Sequence, residues 1–383
     1  APPTQGSLSL DADTLPGFAA IAAANAGGFT EALSLRQRAG DLRIDHDLEA
    51  HTFSAAADQG GIEVSATIDA SEQTGGSARG GSIALYANGD ASATASGDAN
   101  GLAGRVRLTD AARLLAVTST SSEDGVGDTG RAGTVLVSSM GAGADKIVIA
   151  DGARIDVGVP EGSAQSGGSI TLRAPRTADG TQVQIAAIGD ADAVFTTGAG
   201  GQVIVDAVKT YQGSLVKQTA NNGSAAADPD GAIYLTGANS IDADNQVLAA
   251  HVAAIDAALF GGARVAHTIR PEAEIVSGED LTIASSSFLR AGTQRTLDAL
   301  DLSTLRYQGN ADASSSVSGV LTLRAAGNVN AVASISDGYV APVGAVATRL
   351  DLSPHSADTL KTSGDAWSYR IAAGAAIDAA DPL

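Results

Sequence analysis

The chain has 383 residues, 46 of them glycine, with aromatic residues at only 3% and one tryptophan, Trp367. Its 43 acidic residues against 23 basic ones give a formal net charge of −20, which repels phosphate backbones and excludes nucleic acid as a partner. Cysteine is absent, so disulfides, zinc–thiolate sites and thiol catalysis are excluded, while a hydrophobic content of 44% argues against global disorder.

With so few aromatics, bulk in a core must come from Val, Ile, Leu and Ala, which suits a narrow, repetitive interior. The chain opens at Ala1 without an initiator methionine or a signal-peptide pattern, so a processed or excised segment is expected. No run of 18 apolar residues occurs, so no membrane-crossing helix is expected.

In chain order, residues 16–25 carry a weak helical pattern. A phrase then recurs: a glycine followed by alternating aliphatic residues. It places Ile62 and Val64, Ile83 and Leu85, Val106 and Leu108, Val135 and Val137, Ile170 and Leu172, and Val203 and Val205 on one face of successive strands. Ile233 with Leu235 and Leu321 with Leu323 continue the series. Period two sends these side chains inward and their neighbours, such as Arg105, Arg107, Thr171 and Gln202, outward.

From Gly61 to Gly231 the leading glycines step by 20, 23, 29, 35, 33 and 30 residues. Secondary strands are expected between the phrases, at 66–69, 146–149, 154–157 and 182–185. Two or three short strands per 20–35 residues fit one coil of a parallel β-helix, with roughly fifteen coils stacked at strand spacing. The Gly/Ser/Ala/Asp stretches near 88–101, 119–133 and 159–168 read as loop insertions. An antiparallel sandwich or barrel fits less well, since few two-residue hairpin signals occur.

One segment departs from the strand pattern. From Asp244 to Phe260, Val247, Leu248, Val252, Ile255 and Leu259 recur at helical spacing among alanines and stop at Gly261-Gly262. This predicts a helix over 244–260 within an insertion at 244–262. Strands resume at 273–276 and 281–283.

These phrases resemble a known family. Ser166-Gly167-Gly168-Ser169-Ile170-Thr171-Leu172-Arg173-Ala174 looks like the repeat of filamentous haemagglutinin-type exoproteins. The segments running from His267 to Ile275, from Gly319 to Val329 and from Ala366 to Ala375 resemble, in order, phrases of its long members. The resemblance implies a right-handed parallel β-helix, secretion through an outer-membrane two-partner transporter, and a place outside the cell or on its surface. It brings no catalytic residues. The amino-terminal secretion module of that family is not recognised in this chain, so an internal segment is expected.

Candidate chemistry is sparse. His46 and His51 flank carboxylates in Asp45-His46-Asp47-Leu48-Glu49-Ala50-His51, but five residues of separation puts them on opposite faces of a continuous strand. The acidic stretches 122–128 and 228–231 lack the spacing of an EF-hand and read as turns, with calcium loops as the lesser alternative. Glycoside cleavage needs two carboxylates at a set separation, and nothing marks such a pair. The leading glycines are expected to serve tight corners, often at positive φ, and no helix with a P-loop lysine follows them.

The expectation is therefore all-β: one elongated, right-handed parallel β-helix over residues 1–383 with a single helical insertion. No catalytic, cofactor-binding or metal residues are assigned, and no cofactor. The functional expectation is a rigid structural or adhesive module of a large secreted bacterial surface protein, not an enzyme. Its expected partners are the secretion transporter, a host or bacterial surface receptor, and a further copy stacked end to end. The alternatives are a subunit of an extracellular filament and, third, a β-helical polysaccharide lyase or hydrolase.

Overall fold

The computed structural model describes residues 6–71, 80–89, 102, 104–118, 132–141, 145–159, 166–220, 231–290, 293–297, 299–311, 316–337 and 366–382. The chain is mostly β, with long parallel sheets consistent with a solenoid. The longest sheet has ten strands, in the order Ser7–Ala12, Ala32–Gln37, Thr52–Ala57, Ser82–Ala87, Thr134–Ser139, Ser169–Pro175, Gln202–Gln212, His267–Ser277, Val320–Ala325 and Ser368–Ala373. Sequence order equals spatial order and every neighbour is parallel.

Between visits to this sheet the chain adds a rung to two smaller ones. Leu42–Ile44, Ile62–Val64, Val106–Leu108 and Ile147–Ile149 form one; Leu48–Glu49, Thr67–Asp69, Arg113–Leu115, Arg154–Asp156 and Phe195–Thr196 form the other. A third small parallel sheet, built from Leu215–Thr219, Ile233–Thr236, Leu281–Ile283 and Val329–Ala331, serves the later part of the chain.

The glycine-led phrase therefore marks strands of three different sheets. The phrases at 62 and 106 lie in the first small sheet, that at 233 in the third, and the others in the long sheet. Their spacing is not the coil period, because any strand that follows a tight corner acquires the same signature. Ten strands in the long sheet also replace the expected fifteen coils among the described residues.

The inward positions are as expected with one exception. Ile62, Val64, Ile83, Leu85, Val106, Leu108, Val135, Val137, Ile170, Leu172, Val203, Val205, Leu235, Leu321 and Leu323 are all buried. Ile233 faces inward, opposite Val216 and against the smaller cluster, but is only partly buried because its strand lies at the end of its small sheet. The buried apolar side chains form two clusters. The larger runs from Leu15 to Ala207 and takes in Ile269; the smaller contains Val216, Ile275, Leu321 and Trp367. The long strands Gln202–Gln212 and His267–Ser277 belong to both, since the later strands pair only with their second halves.

Four leading glycines sit in a column before the long-sheet strands: Gly81, Gly133, Gly168 and Gly201. A Cβ on Gly133 would stand 2.0 Å from the carbonyl oxygen of Gly81, and one on Gly168 would stand 2.0 Å from that of Gly133. Here close backbone approach requires glycine, not backbone angle: of the eight leading glycines only Gly104 and Gly231 have positive φ.

Among the described residues, three helices interrupt the strands. α1 (Phe18–Ala26) occupies the weak helical pattern and buries Phe18 and Ile21 at the first rung. Its Asn25 side chain donates to Glu49 O at 2.7 Å and accepts from Glu49 N at 2.9 Å, filling the place of a neighbouring strand beside Leu48–Glu49. α2 (Ala191–Val194) is a single capped turn. α3 (Ile241–Phe260) begins three residues earlier than expected, because Ser240 caps it by accepting from Ala243 N. It ends at Gly261, in the left-handed conformation at φ 58°.

Two short antiparallel hairpins, Ser286–Arg290 with Thr293–Leu297 and Tyr307–Gln308 with Ser316–Val317, were not expected. The stretch 182–185 makes isolated bridges, not a strand. Of the expected loop insertions, 90–101, 119–131 and 160–165 lie outside the described residues, as do most of the acidic stretches at 122–128 and 228–231.

Candidate functional site

The outward face of the long sheet holds a group of charged residues that period-two reading assigns to solvent. Arg173, Asp206 and Arg270 stand opposite one another on consecutive strands, an alternation of sign across the ladder. Beside them lie Glu272, Glu274, Thr322, Arg324 and Arg370. Arg173, Asp206, Glu272 and Glu274 are all 2% exposed or less.

The group is densely bonded. Arg173 donates Nη2 to Glu272 Oε1 at 2.8 Å and Nε to Oε2 at 3.0 Å, and its Nη2 lies 3.4 Å from Glu274. Glu272 also accepts from Thr322 at 2.7 Å and from Arg370 at 2.9 Å. Arg324 donates to Glu274 at 3.1 Å, and Arg270 donates to Asp206 at 2.5 Å. Burial alone would push the Glu272 carboxyl up, but the charge and hydrogen bonds of Arg173, then the charge of Arg370, outweigh it and hold the group well below the usual carboxylate range. Burial acts to lower Arg173, and Glu272 and Glu274 reverse it, so this guanidinium is raised.

Contacts of this kind require a bent sheet. Arg370 reaches Asp206 at 3.5 Å. In a flat sheet their positions would be three strands (about 14 Å) and four residues (about 13 Å) apart. The outward face must therefore be concave where the two apolar clusters meet.

The C-terminal residues give the same result. After Ser368–Ala373 the chain crosses this face: Arg324 Nη2 donates to the carbonyls of Ala376, Ile377 and Ala379, and Ala380 N donates to Asp58 at 2.9 Å. Seven residues span at most about 24 Å, whereas Asp58 follows a strand seven places away, about 34 Å along a flat sheet.

A second polar group fastens α3 beside the bend. Arg176, pushed down to about 10 by burial, donates to Ala207 O at 2.9 Å and to Asn245 Oδ1 at 2.7 Å. Tyr211 donates to Asp244 at 2.7 Å, and burial followed by that carboxylate pushes its hydroxyl up. His267 pairs with Asp256 at 2.8 Å and stacks on Phe260 at 4.1 Å between centroids.

Glu272, held ionised by arginine and closed to solvent, cannot serve as a general acid at neutral pH. The arrangement locks elements together. His46 sits in an exposed turn against Asp45 at 2.7 Å, and His51 lies at a different corner, beside a shallow recess of about 300 Å³ with Thr52, Gly81, Ser82 and Gly133. Among the described residues no group of three or more His, Asp or Glu converges on a metal position; His355 lies outside them.

The buried charges escaped the sequence reading, yet a signal existed. Thr171-Leu172-Arg173-Ala174 and Thr322-Leu323-Arg324-Ala325 are the same four residues in two strands, and both arginines are buried. No helix among the described residues is long and apolar enough to cross a membrane. No protein-family model, curated protein or solved structure matches the chain.

Proposed function

We propose that the chain is a right-handed parallel β-helical module, structural or adhesive, of a secreted bacterial surface protein of the filamentous haemagglutinin type. One observation carries this reading: ten parallel strands in sequence order, with small sheets receiving a rung between visits. Such an arrangement makes stability a sum of rung-to-rung interfaces and gives a stiff body whose length scales with the chain. The bent face, tied by Arg173–Glu272 and by the returning C-terminal residues, makes that body an angled spacer. The chain's net charge of −20 favours solubility while it is displayed.

The test is antibody labelling of intact source bacteria, with and without the outer-membrane transporter. Labelling of whole cells that disappears when the transporter is deleted is the expected result. Signal that appears only after permeabilisation refutes it. Release of reducing ends or unsaturated products from a polysaccharide panel would favour the enzymatic alternative instead.

A further inference from the structure

The segment that follows Ser368–Ala373 is held over the outward face by its main chain. Gly374, at φ 67°, turns the chain off the strand. Residues 376–379 then form a turn, with Ala379 N donating to Ala376 O at 3.0 Å. The carbonyls of this turn converge on two side chains of the strand stack. Arg324 Nη2 donates to Ala376 O at 3.1 Å, Ile377 O at 3.2 Å and Ala379 O at 3.3 Å, and Asn88 Nδ2 donates to Asp378 O at 3.4 Å. Ala380 N donates to Asp58 Oδ1 at 2.9 Å. Among the described residues, every hydrogen bond from 376–380 to the stack is therefore made by a carbonyl or an N–H of the segment, not by its side chains.

The charged members of this seat are fixed from behind. Glu274 holds Arg324 Nη1 at 3.1 Å, and Arg36 holds Asp58 Oδ2 at 2.8 Å. A cation thus meets the carbonyls and an anion meets the N–H, the stronger kind of hydrogen bond in each case. Side chains of the segment matter through their size. Ala379 and Ala380 are buried, Ile377 is half-buried and Asp378 is exposed.

We propose that this seat is a peptide-binding site. It recognises a turn of main chain followed by small residues, is filled in cis by residues 376–380, and takes a second polypeptide segment of the same chemistry when its own leaves. Tethered through Gly374 and Ala375, the segment faces its seat at an effective concentration on the order of millimolar. A competing peptide is excluded until the segment is displaced, so the segment is a latch on the site. Asp58 and Asn88 come from the first half of the long sheet and Arg324 from its ninth strand. A ligand that bridges them should draw the bend closed as the latch does. The inference rests on the bent face and is independent of surface display.

The probe is a fluorescein-labelled peptide of residues 374–383. In the full chain, Ala380→Trp puts a large side chain where the alanine is 3% exposed and should expel the latch with an unchanged circular-dichroism spectrum. Should the spectrum change, the chain cut after Gly374 takes the place of that variant. The expelled variant should bind the peptide saturably, at least about tenfold more tightly than the unmodified chain does. The bound peptide should return the radius of gyration to that of the unmodified chain. Asp378→Ser in the peptide should preserve binding, and Ala379→Leu with Ala380→Leu should abolish it. An expelled variant that does not bind, equal binding to the unmodified chain, loss of binding with Asp378→Ser, or binding that survives the two leucines would overturn the proposal.

Discussion

Glu272→Gln keeps the size of the side chain and removes its charge. Glu272 is fully buried and is the shared acceptor of Arg173, Thr322 and Arg370. The substitution leaves Arg173, itself 1% exposed, with the 3.4 Å approach of Glu274 and the charge of Asp206 as its remaining compensation. Breaking a buried ion pair by removing one partner costs about 3–5 kcal/mol, most of it the burial of an unmatched charge. Replacing both partners by apolar residues should cost far less, so Arg173→Met with Glu272→Met should be more stable than Glu272→Gln alone. Trp367, the sole tryptophan, is buried in the smaller apolar cluster with its indole bonded to Leu305 O at 3.1 Å. Its fluorescence during urea unfolding reads the region behind Glu272. The wild-type contribution should also depend on pH. The folded carboxyl lies below its unfolded value, so the stabilisation is complete above about pH 4.5 and is lost as pH falls towards the folded value. A loss below about 1 kcal/mol for Glu272→Gln, or a double substitution worse than the single one, would refute the account of the bend as a charge lock.

Three further outcomes are expected. Gly133→Ala should cost about 1–3 kcal/mol or more, since its Cβ meets immovable backbone, whereas Gly278→Ala, with nothing within 4 Å, should change stability by less than about 1 kcal/mol; denaturant midpoints compare them. Lys146 is fully buried, its Nζ has no hydrogen-bond partner among the described residues, and burial, then Arg105, pushes it down to about 8. Lys146→Met should therefore raise the melting temperature at pH 7, with the gain shrinking between pH 8 and 10.5 as the wild-type lysine sheds its proton in both states. Deleting residues 375–383 should leave the circular-dichroism spectrum unchanged yet increase the radius of gyration in X-ray scattering, because Arg324 and Asp58 lose the segment that ties the bend; an unchanged radius would contradict the role given to that segment.

Inward positions were legible because a strand's alternation has only two faces. Once Ile170 and Leu172 point to the core, Thr171 and Arg173 must point away from it. Whether the outward face stays in water is decided elsewhere. Arg173 is bonded to Glu272, 99 positions downstream, and no local pattern encodes the arrival of that partner. α3 was legible from its spacing, apart from its first turn, where Ile241 lies on the buried stripe seven residues before Leu248 but the polar Asn245 between them interrupts the apolar period. Amide side chains that stand in for backbone were not legible. Asn25 does so for Glu49, and Gln218 does so for Asp301, accepting from its N–H at 2.7 Å. Each is one polar residue in a segment where any turn former would look the same. The glycine column was visible as a motif but was assigned the wrong cause, since sequence does not separate a positive φ from the approach of a neighbouring carbonyl.

The choice of charge over hydrophobicity at the bend has a physical logic. The larger apolar cluster is built mainly from the first half of the chain, and each added rung leaves a strand edge and an outward face exposed until the next arrives. An apolar patch at Arg173 and Asp206 would be adhesive throughout that interval, before His267–Ser277 and the last strands could cover it. A guanidinium and carboxylates remain hydrated while they wait and pair only when partners of the right sign reach the right register. The last such partner to be added is the segment around Ala380, whose bond to Asp58 spans 322 positions. Contacts of that separation form after the stack that brings their ends together. An ionic lock therefore lets a slowly assembled parallel sheet bend onto its own outer face at the end of folding, without presenting a greasy face at the start.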